Sequence, residues 1–118
     1  MRIFVDREPE VHHGDCLGGD AEFHAICLDL EFEIHIHPPL IPKNRAFCHP
    51  ADFTYTPKAY LSRNHDIVDA CDILIAAPAK PETRRSGTWA TIRYARKQKK
   101  PIALITKSGA VEFSNLIF

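Results

Sequence analysis

Two almost continuous apolar runs restrict the fold of this chain most strongly. They are "DILIAAP", residues 72–78, and "PIALIT", residues 101–106. Such runs are typical of strands covered on both faces in a parallel sheet. Between them, "SGTWATIRYARKQKK" has a helical period that places Trp89, Ile92 and Ala95 on one side. A strand, a helix and a strand in this order predict a parallel βαβ unit.

The rest of the chain continues the alternation of strands and helices. "EVHH" and "EIHIH" read as strands, and "AVEFSNLIF" reads as a terminal strand or docked tail. Two further segments have a helical period. The first places Phe23, Ile26, Cys27 and Leu30 on one apolar face; the second contains Ile67, Val68 and Cys71, with Ser62 or Asn64 as the cap. We therefore predict one α/β domain over residues 1–118 with a mainly parallel sheet.

Composition narrows the functional classes. The chain has 118 residues and a formal net charge of zero, so nothing global favours binding to nucleic acid or to a membrane surface. The charge is uneven, however, with seven basic residues and no acid from Arg84 to Lys100. No apolar run reaches a membrane-spanning length. The four cysteines form no C-x-x-C pair, which indicates reduced thiols, and we expect a cytoplasmic protein without a membrane partner.

A glycine-rich turn follows the first predicted strand, in "HHGDCLGGDAEFH". Gly14 and Gly18 allow tight or positive-φ turns before a helix that begins near Asp20. Asp15 and Asp20 could hydrogen-bond sugar hydroxyls or act as general bases. In an open parallel sheet the turns after the strands emerge at the carboxyl edge, where ligands bind. We therefore expect this turn, "HPP" and "APAKPETRRSGT" to converge. The proline-rich segment from 38 to 61 is predicted to be a long irregular loop.

The histidines raise the alternative of a metal site. His12 and His13 are neighbours on a strand, so their side chains point to opposite faces. His24 lies at i+4 from Asp20, and those two could meet. His35 and His37 share one strand face. No H-E-x-x-H motif or paired Cys/His spacing is present, and we predict neither a metal nor a cofactor.

"RRSGT" reads as an anion site at the start of a helix. Ser86 can cap the helix, and Gly87 lets the backbone approach a ligand. The first-turn N–H groups carry the positive end of the helix dipole, with the Ser86 and Thr88 hydroxyls as further donors and Arg84 or Arg85 as a charge clamp. An ordinary capped helix with a basic, solvated face is the alternative. Arg63 and Asn64, in "YLSRN", could reach a phosphate or make a surface ion pair.

Taken together, these motifs resemble the SLOG superfamily of Rossmann-like nucleotide-binding domains. The resemblance runs from about residue 10 to 105 and rests on "HGDCLGGDAEFHAIC", "YLSRNHDIVDACDILIAAP" and "RSGTWATIRYARKQKKPIALI". The spacing is similar to the glycine motifs of the DprA branch, and the layout resembles small stand-alone members, often phage-encoded. The resemblance implies a three-layer Rossmann-like domain. Thr91 stands where the cytokinin-activating LOG enzymes have a glutamate central to N-glycosidic cleavage.

The resemblance implies binding of a phosphorylated nucleoside or an ADP-ribose-like ligand. The predicted binding residues are Gly14, Gly18, Arg63, Asn64, Arg85, Ser86, Gly87, Thr88 and Thr91. A nucleotide N-glycosidase is one alternative, with Asp15 or Asp20 as the catalytic carboxylate. A DprA-like protein that binds single-stranded DNA is the other, and would need Trp89, Tyr94 and "RKQKK". Family members begin with a strand and helix that look shortened here, which would leave a sheet edge for a homodimer to cover.

Overall fold

The computed structural model describes residues 9–84 and 86–115. The chain divides into two compact units, unit 1 (residues 1–59) and unit 2 (residues 60–118). Both contain strands and helices, so the predicted α/β class is confirmed; the single-domain and three-layer arrangements stay predictions. Within the described ranges, no helix combines the length and the apolar character needed to cross a membrane.

Unit 1 contains an all-parallel sheet and one α-helix. Its elements are β1 (Glu10–His13), α1 (Gly19–Asp29), β2 (Glu33–Ile36), a 3₁₀ helix (Pro42–Asn44) and β3 (Phe53–Thr54). The strand order is β1-β2-β3, and both pairings are parallel. Cys27 of α1 packs with Ile34 and Ile36 of β2 in a small buried core. The predicted irregular loop therefore also contains a helical turn and a short strand.

The apolar face predicted for α1 is only partly correct. Cys27 is buried, but Ile26 and Leu30 are 56% and 54% exposed. His24 is 4% exposed and lies on the buried side instead. The physical reason is a hydrogen bond: His24 Nδ1 lies 2.9 Å from Nε2 of His13 on β1. A buried imidazole with a partner can replace an apolar side chain, which hydrophobic periodicity does not detect.

Unit 2 contains a mixed sheet and two α-helices. Its elements are α2 (Tyr60–Ala70), β4 (Leu74–Ala76), α3 (Gly87–Lys97), β5 (Ile102–Ile105) and β6 (Val111–Ser114). β4 and β5 are parallel, as predicted, whereas β6 pairs antiparallel with β5. The core contains the three apolar residues predicted for α3, and its buried members are Val68, Leu74, Trp89, Ile92, Ala95 and Ile102.

Two expectations for unit 2 change. Ile75 on β4 is 55% exposed, so that strand is not covered on both faces. The helix α2 begins at Tyr60, which places Ser62 and Asn64 inside it rather than at its cap. The expectations for the first eight residues, for Arg85 and for the last three residues lie outside the described residues.

Candidate functional site

The glycine turn of unit 1 has the geometry expected before a helix. Gly18 has φ +90°, a conformation that side chains with a Cβ rarely adopt, and α1 begins at the next residue. Asp20 bonds back across the turn, where its Oδ2 accepts the Cys16 N–H at 3.0 Å. Asp20 and Glu22 already place negative charge in the first turn of α1. A ligand with a phosphate therefore gains little from this helix end.

Asp15 is the most strongly held residue of this turn. Its side chain is fully buried, and its Oδ2 and Oδ1 accept the Arg45 Nε–H and the Cys48 N–H, both at 2.8 Å. Its carbonyl accepts the Ala46 N–H at 2.7 Å, and its own N–H donates to His13 Nδ1 at 2.9 Å. These bonds hold Asp15 at φ +59°, a conformation that aspartate tolerates better than most residues. Asp15 thus joins the glycine turn to the segment 45–48; its catalytic role stays a prediction.

The surroundings of Asp15 shift two pKa values. Burial alone would raise the pKa of its carboxyl, but the bonds from Cys48 and Arg45 prevail and lower it. Burial raises the pKa of the Cys48 thiol to about 11, with a further contribution from the Asp15 carboxylate. Cys48 is therefore a protonated thiol beside a carboxylate at neutral pH, which makes it a poor nucleophile.

A buried histidine pair lies on the α1 side of β1. Because His13 Nδ1 accepts the Asp15 N–H, its Nε2 carries the proton and donates to His24 Nδ1. His24 Nε2 then carries a proton too, and among the described residues it has no hydrogen-bond partner. His13, His24 and Cys48 are close enough to share a metal ion. Their donor atoms are protonated or already bonded, however, so they do not suit one as arranged.

The start of α3 in unit 2 is a capped helix terminus. The Ser86 hydroxyl accepts the Trp89 N–H at 3.2 Å, which confirms Ser86 as the N-cap. The N–H groups of Gly87 and Thr88 belong to the first turn, where no acceptor is available within the helix. No acidic side chain lies in this turn. Its positive partial charge is therefore not neutralised locally.

The loop before α3 is tied back onto the helix. Trp89 Nε1–H donates to the Lys80 carbonyl at 2.8 Å. The Arg93 guanidinium donates to the carbonyls of Thr83 at 3.1 Å and Arg84 at 3.4 Å. These contacts position the backbone that leads into Ser86. Trp89 is therefore a core residue that also holds this loop.

The basic face of α3 is less free than predicted. Arg93 and Arg96 both contact the Glu82 carboxylate, at 3.4 and 3.1 Å. The hydrogen bond from Arg96, with that from Arg93, lowers the pKa of Glu82. Tyr94 stacks on His65 at 3.8 Å between ring centroids and donates its hydroxyl to Asp69. Two arginines and one aromatic ring that the DNA hypothesis could use therefore have protein partners.

The other predicted binding residues of unit 2 that the structure describes are Arg63, Asn64 and Thr91. Arg63 is 2% exposed and its guanidinium lies 4.5 Å from the centre of the Tyr60 ring, so it is a buried cation on α2 rather than a surface one. Asn64 is half-buried on the same helix. The Thr91 hydroxyl donates to the Gly87 carbonyl at 2.9 Å, which is a bond within α3. Convergence of residues from unit 1 and unit 2 on one ligand stays a prediction.

Sequence reasoning missed a cluster on the face of β1–β2 opposite α1. The parallel register pairs Glu10 with Glu33 and His12 with His35. His12 Nε2 and His35 Nε2 lie 2.8 and 3.5 Å from one carboxylate oxygen of Glu10. The His12 hydrogen bond lowers the pKa of Glu10. The signal was present in the sequence as two Glu-x-His triplets, "EVH" and "EIH", on neighbouring predicted strands. His12 and His13 do point to opposite faces, as predicted.

Comparison of the chain with protein-family models, with curated proteins and with solved structures found no match. Function therefore rests on the geometry and chemistry of the described residues. Two places among the described residues offer chemistry beyond folding. They are the start of α3, with its first-turn N–H groups and positive charge, and the face of unit 1 that carries Glu10, His12, Glu33 and His35.

Proposed function

We propose that this chain is a SLOG-type protein that binds a phosphorylated nucleoside or an ADP-ribose-like ligand, with the phosphate at the start of α3. The observation that carries the proposal is the capped first turn of this helix. The Ser86 hydroxyl accepts the Trp89 N–H, while the N–H groups of Gly87 and Thr88 lie in the same first turn. No acidic side chain in this turn would repel an anion. A helix end of this kind stabilises an anion through both hydrogen bonds and the dipole.

The neighbouring side chains strengthen this choice. Thr88 is exposed at the first turn and offers a hydroxyl donor. Arg84 is exposed just before the cap, and its backbone is held by Arg93. A loop held before the ligand arrives loses less conformational entropy on binding. The start of α1 lacks these features, because Asp20 and Glu22 occupy its first turn.

Gly87 supplies a sharp test because a methyl group can be added at this position without a clash. A Cβ at this position would lie 3.6 Å from the Tyr60 ring, an ordinary contact, so Gly87→Ala should fold. The added methyl would stand beside the two N–H groups proposed to hold the phosphate. We therefore expect Gly87→Ala to keep the melting temperature of the free protein and to weaken binding of phosphorylated ligands at least tenfold.

The experiment is a thermal-shift screen followed by calorimetric titration. Nucleoside monophosphates, ADP-ribose and inorganic phosphate are compared with the matching unphosphorylated nucleosides. A ligand at 100 times its dissociation constant stabilises the folded protein by about 2.7 kcal/mol. Arg84→Ala should weaken binding, and Lys97→Ala, which removes the same charge at the other end of α3, should not. The proposal fails if no phosphorylated ligand binds, or if nucleosides bind as well as their phosphates.

The N-glycosidase alternative demands more of the structure. It needs a carboxylate that can approach an anomeric carbon, whereas both Asp15 oxygens accept protein hydrogen bonds. Asp20 has one oxygen bonded to the Cys16 N–H. Release of free base from a nucleoside monophosphate, abolished in Asp20→Asn, would replace the binding proposal with an enzymatic one.

A further inference from the structure

The two Glu-x-His triplets of unit 1 form one four-residue cluster. In a strand, side chains two residues apart share a face, so Glu10 and His12 project together from β1, and Glu33 and His35 from β2. Because the parallel register pairs like with like, the two carboxylates lie side by side and the two imidazoles lie side by side. The ion pairs of both carboxylates are made with these two imidazoles.

The two imidazole rings are held in matching orientations. His12 and His35 stack with their centroids 4.4 Å apart and 25° between their planes, and Phe53 stacks on the far side of His35 at 4.7 Å. His12 Nδ1 lies 2.8 Å from His37 Nε2, and His35 Nδ1 lies 2.7 Å from the Tyr55 hydroxyl. Both Nδ1 atoms thus face protein partners, and both Nε2 atoms face the glutamates.

Those partners allow either tautomer of the two histidines. The Tyr55 hydroxyl can donate a hydrogen bond to His35 Nδ1 or accept one from it. His37 Nε2 can likewise donate to His12 Nδ1 or accept from it, depending on the tautomer of His37. When Nδ1 of His12 and His35 carries the proton, both Nε2 lone pairs point at carboxylate oxygens. A cation between them then satisfies all four groups. Histidines whose remote nitrogen is bonded to a protein group are typical of metal sites.

We propose that Glu10, His12, Glu33 and His35 bind one divalent transition-metal ion, with Zn²⁺ the best match to two imidazoles and two carboxylates. Three of these residues bring one donor atom each within 4.8 Å of one another, and Glu33 Oε2 lies 3.0 Å from His35 Nε2. A tetrahedral zinc ion with ligand bonds near 2.05 Å needs donors about 3.3 Å apart, so both the imidazole rings and the glutamates must rotate to close around it. Two carboxylates also balance the charge of the ion.

Burial of the cluster suits reversible binding from solvent. The His12 and His35 side chains are 4% and 7% exposed, whereas those of Glu10 and Glu33 are 52% and 45% exposed. The nitrogen ligands are therefore buried, and the glutamates stand at the open rim. Imidazole ligands disfavour Mg²⁺ and Ca²⁺, which take oxygen ligands. This site is independent of the phosphate site proposed at α3.

Calorimetric titration of the chelator-treated full chain with Zn²⁺ tests the proposal. One equivalent should bind, and excess Mg²⁺ should not compete. Glu10→Gln and Glu33→Gln change half-exposed side chains and should fold, yet each should weaken Zn²⁺ binding at least tenfold. Glu112→Gln, on an exposed position of β6, is the matched control and should bind as the wild type does. Absence of Zn²⁺ binding, or equal binding by all three variants, would overturn the proposal.

Cobalt distinguishes this cluster from the group formed by His13, His24 and Cys48. Co²⁺ held by nitrogen and oxygen should show visible bands without the near-ultraviolet charge-transfer band of a thiolate ligand. Cys48→Ser should leave the spectrum unchanged, and His35→Gln should abolish it. A thiolate band that disappears in Cys48→Ser would assign the ion to the other group and refute the proposal.

Discussion

Asp15 should be the side chain of the glycine turn that contributes most to the stability of unit 1. Its carboxylate accepts hydrogen bonds from Arg45 and Cys48 at 2.8 Å, and it is fully buried. Asp15→Asn removes the charge while keeping the shape, and asparagine tolerates the positive φ of this position. One acceptor remains, but an amide NH₂ now faces either the Arg45 guanidinium or the Cys48 N–H. The variant should therefore fold with lower stability.

The loss of unfolding free energy in Asp15→Asn can be estimated from the bonds that Asp15 accepts from Arg45 and Cys48. Removing one partner of a buried ion pair costs about 3–5 kcal/mol, and one hydrogen bond to a charged group is worth about 1.5–3 kcal/mol. The Arg45 side chain is 20% exposed, so it regains part of its hydration when the carboxylate is lost. We expect a loss of about 2–3 kcal/mol, a large share of the roughly 5–15 kcal/mol by which domains are stable.

Urea unfolding followed by far-ultraviolet circular dichroism measures this loss. The control is Asp20→Asn, the same substitution in the same turn. Asp20 accepts one bond from the Cys16 N–H, which asparagine can still accept, so its loss should stay below about 1 kcal/mol. Trp89, the single tryptophan of the chain, reports on unit 2 in the same samples. Equal losses in the two variants would refute the assignment of Asp15.

Acid supplies an independent check with a defined sign. The pKa of the Asp15 carboxyl is lowered in the folded state, so its contribution is present above the unfolded pKa and is lost as pH falls through the folded pKa. The gap in unfolding free energy between wild type and Asp15→Asn should stay level from pH 8 to about 5. It should narrow below about pH 4, near the ordinary pKa of aspartate. A gap that persists unchanged to pH 3 would contradict a bonded carboxylate.

Three further predictions follow from single contacts. With a pKa of about 11, only about one thousandth of Cys48 is thiolate at pH 8, so iodoacetamide should label it slowly. In Asp15→Asn the labelling should be several-fold faster. An unchanged labelling rate of the Cys48 peptide in this variant would count against the contact between Asp15 and Cys48. Ser86→Ala should cost about 1 kcal/mol in urea unfolding by removing the α3 cap, and Ser86→Asn should restore most of it; equal losses would exclude a capping role. Trp89→Phe removes the hydrogen bond to the Lys80 carbonyl. Backbone amide hydrogen exchange should therefore become faster in residues 79–84 by a larger factor than in β5. An equal increase in both segments would indicate damage to the core alone.

Local signals in the sequence predicted the start of α3 well. The Ser86 cap and the buried stripe of Trp89, Ile92 and Ala95 depend on neighbours within a few positions, and all four are as expected. The same reasoning failed on α1, where Ile26 and Leu30 are exposed and His24 is buried. Periodicity ranks side chains by polarity, and the His13–His24 bond that makes burial of His24 acceptable joins residues on different elements.

Asp15 shows the limit of reading chemistry from a motif. Its place in a glycine turn suggested contact with a ligand, because aspartates at such turns often face one. Its partners, Arg45 and Cys48, lie 30 and 33 positions further along the chain, so the sequence does not reveal that both oxygens are taken. A carboxylate in a turn can bind a ligand or can accept hydrogen bonds from other parts of the chain. Only the tertiary contacts show which of these two roles it has.

The Glu–His face illustrates which part of a site a sequence does contain. Alternation alone predicts that Glu10 and His12 share a face and that Glu33 and His35 share another. Burial of Ile34 against Cys27 of α1 then fixes which face of β2 is turned away from the helix. A one-residue slip of β1 would turn its apolar and polar faces over, and the core forbids that. A two-residue slip keeps the faces but would bring a glutamate beside a histidine instead of beside a glutamate. The register that pairs Glu10 with Glu33 therefore determines whether these residues form two separate Glu–His ion pairs or one site with four ligands. No local signal in the sequence determines that register.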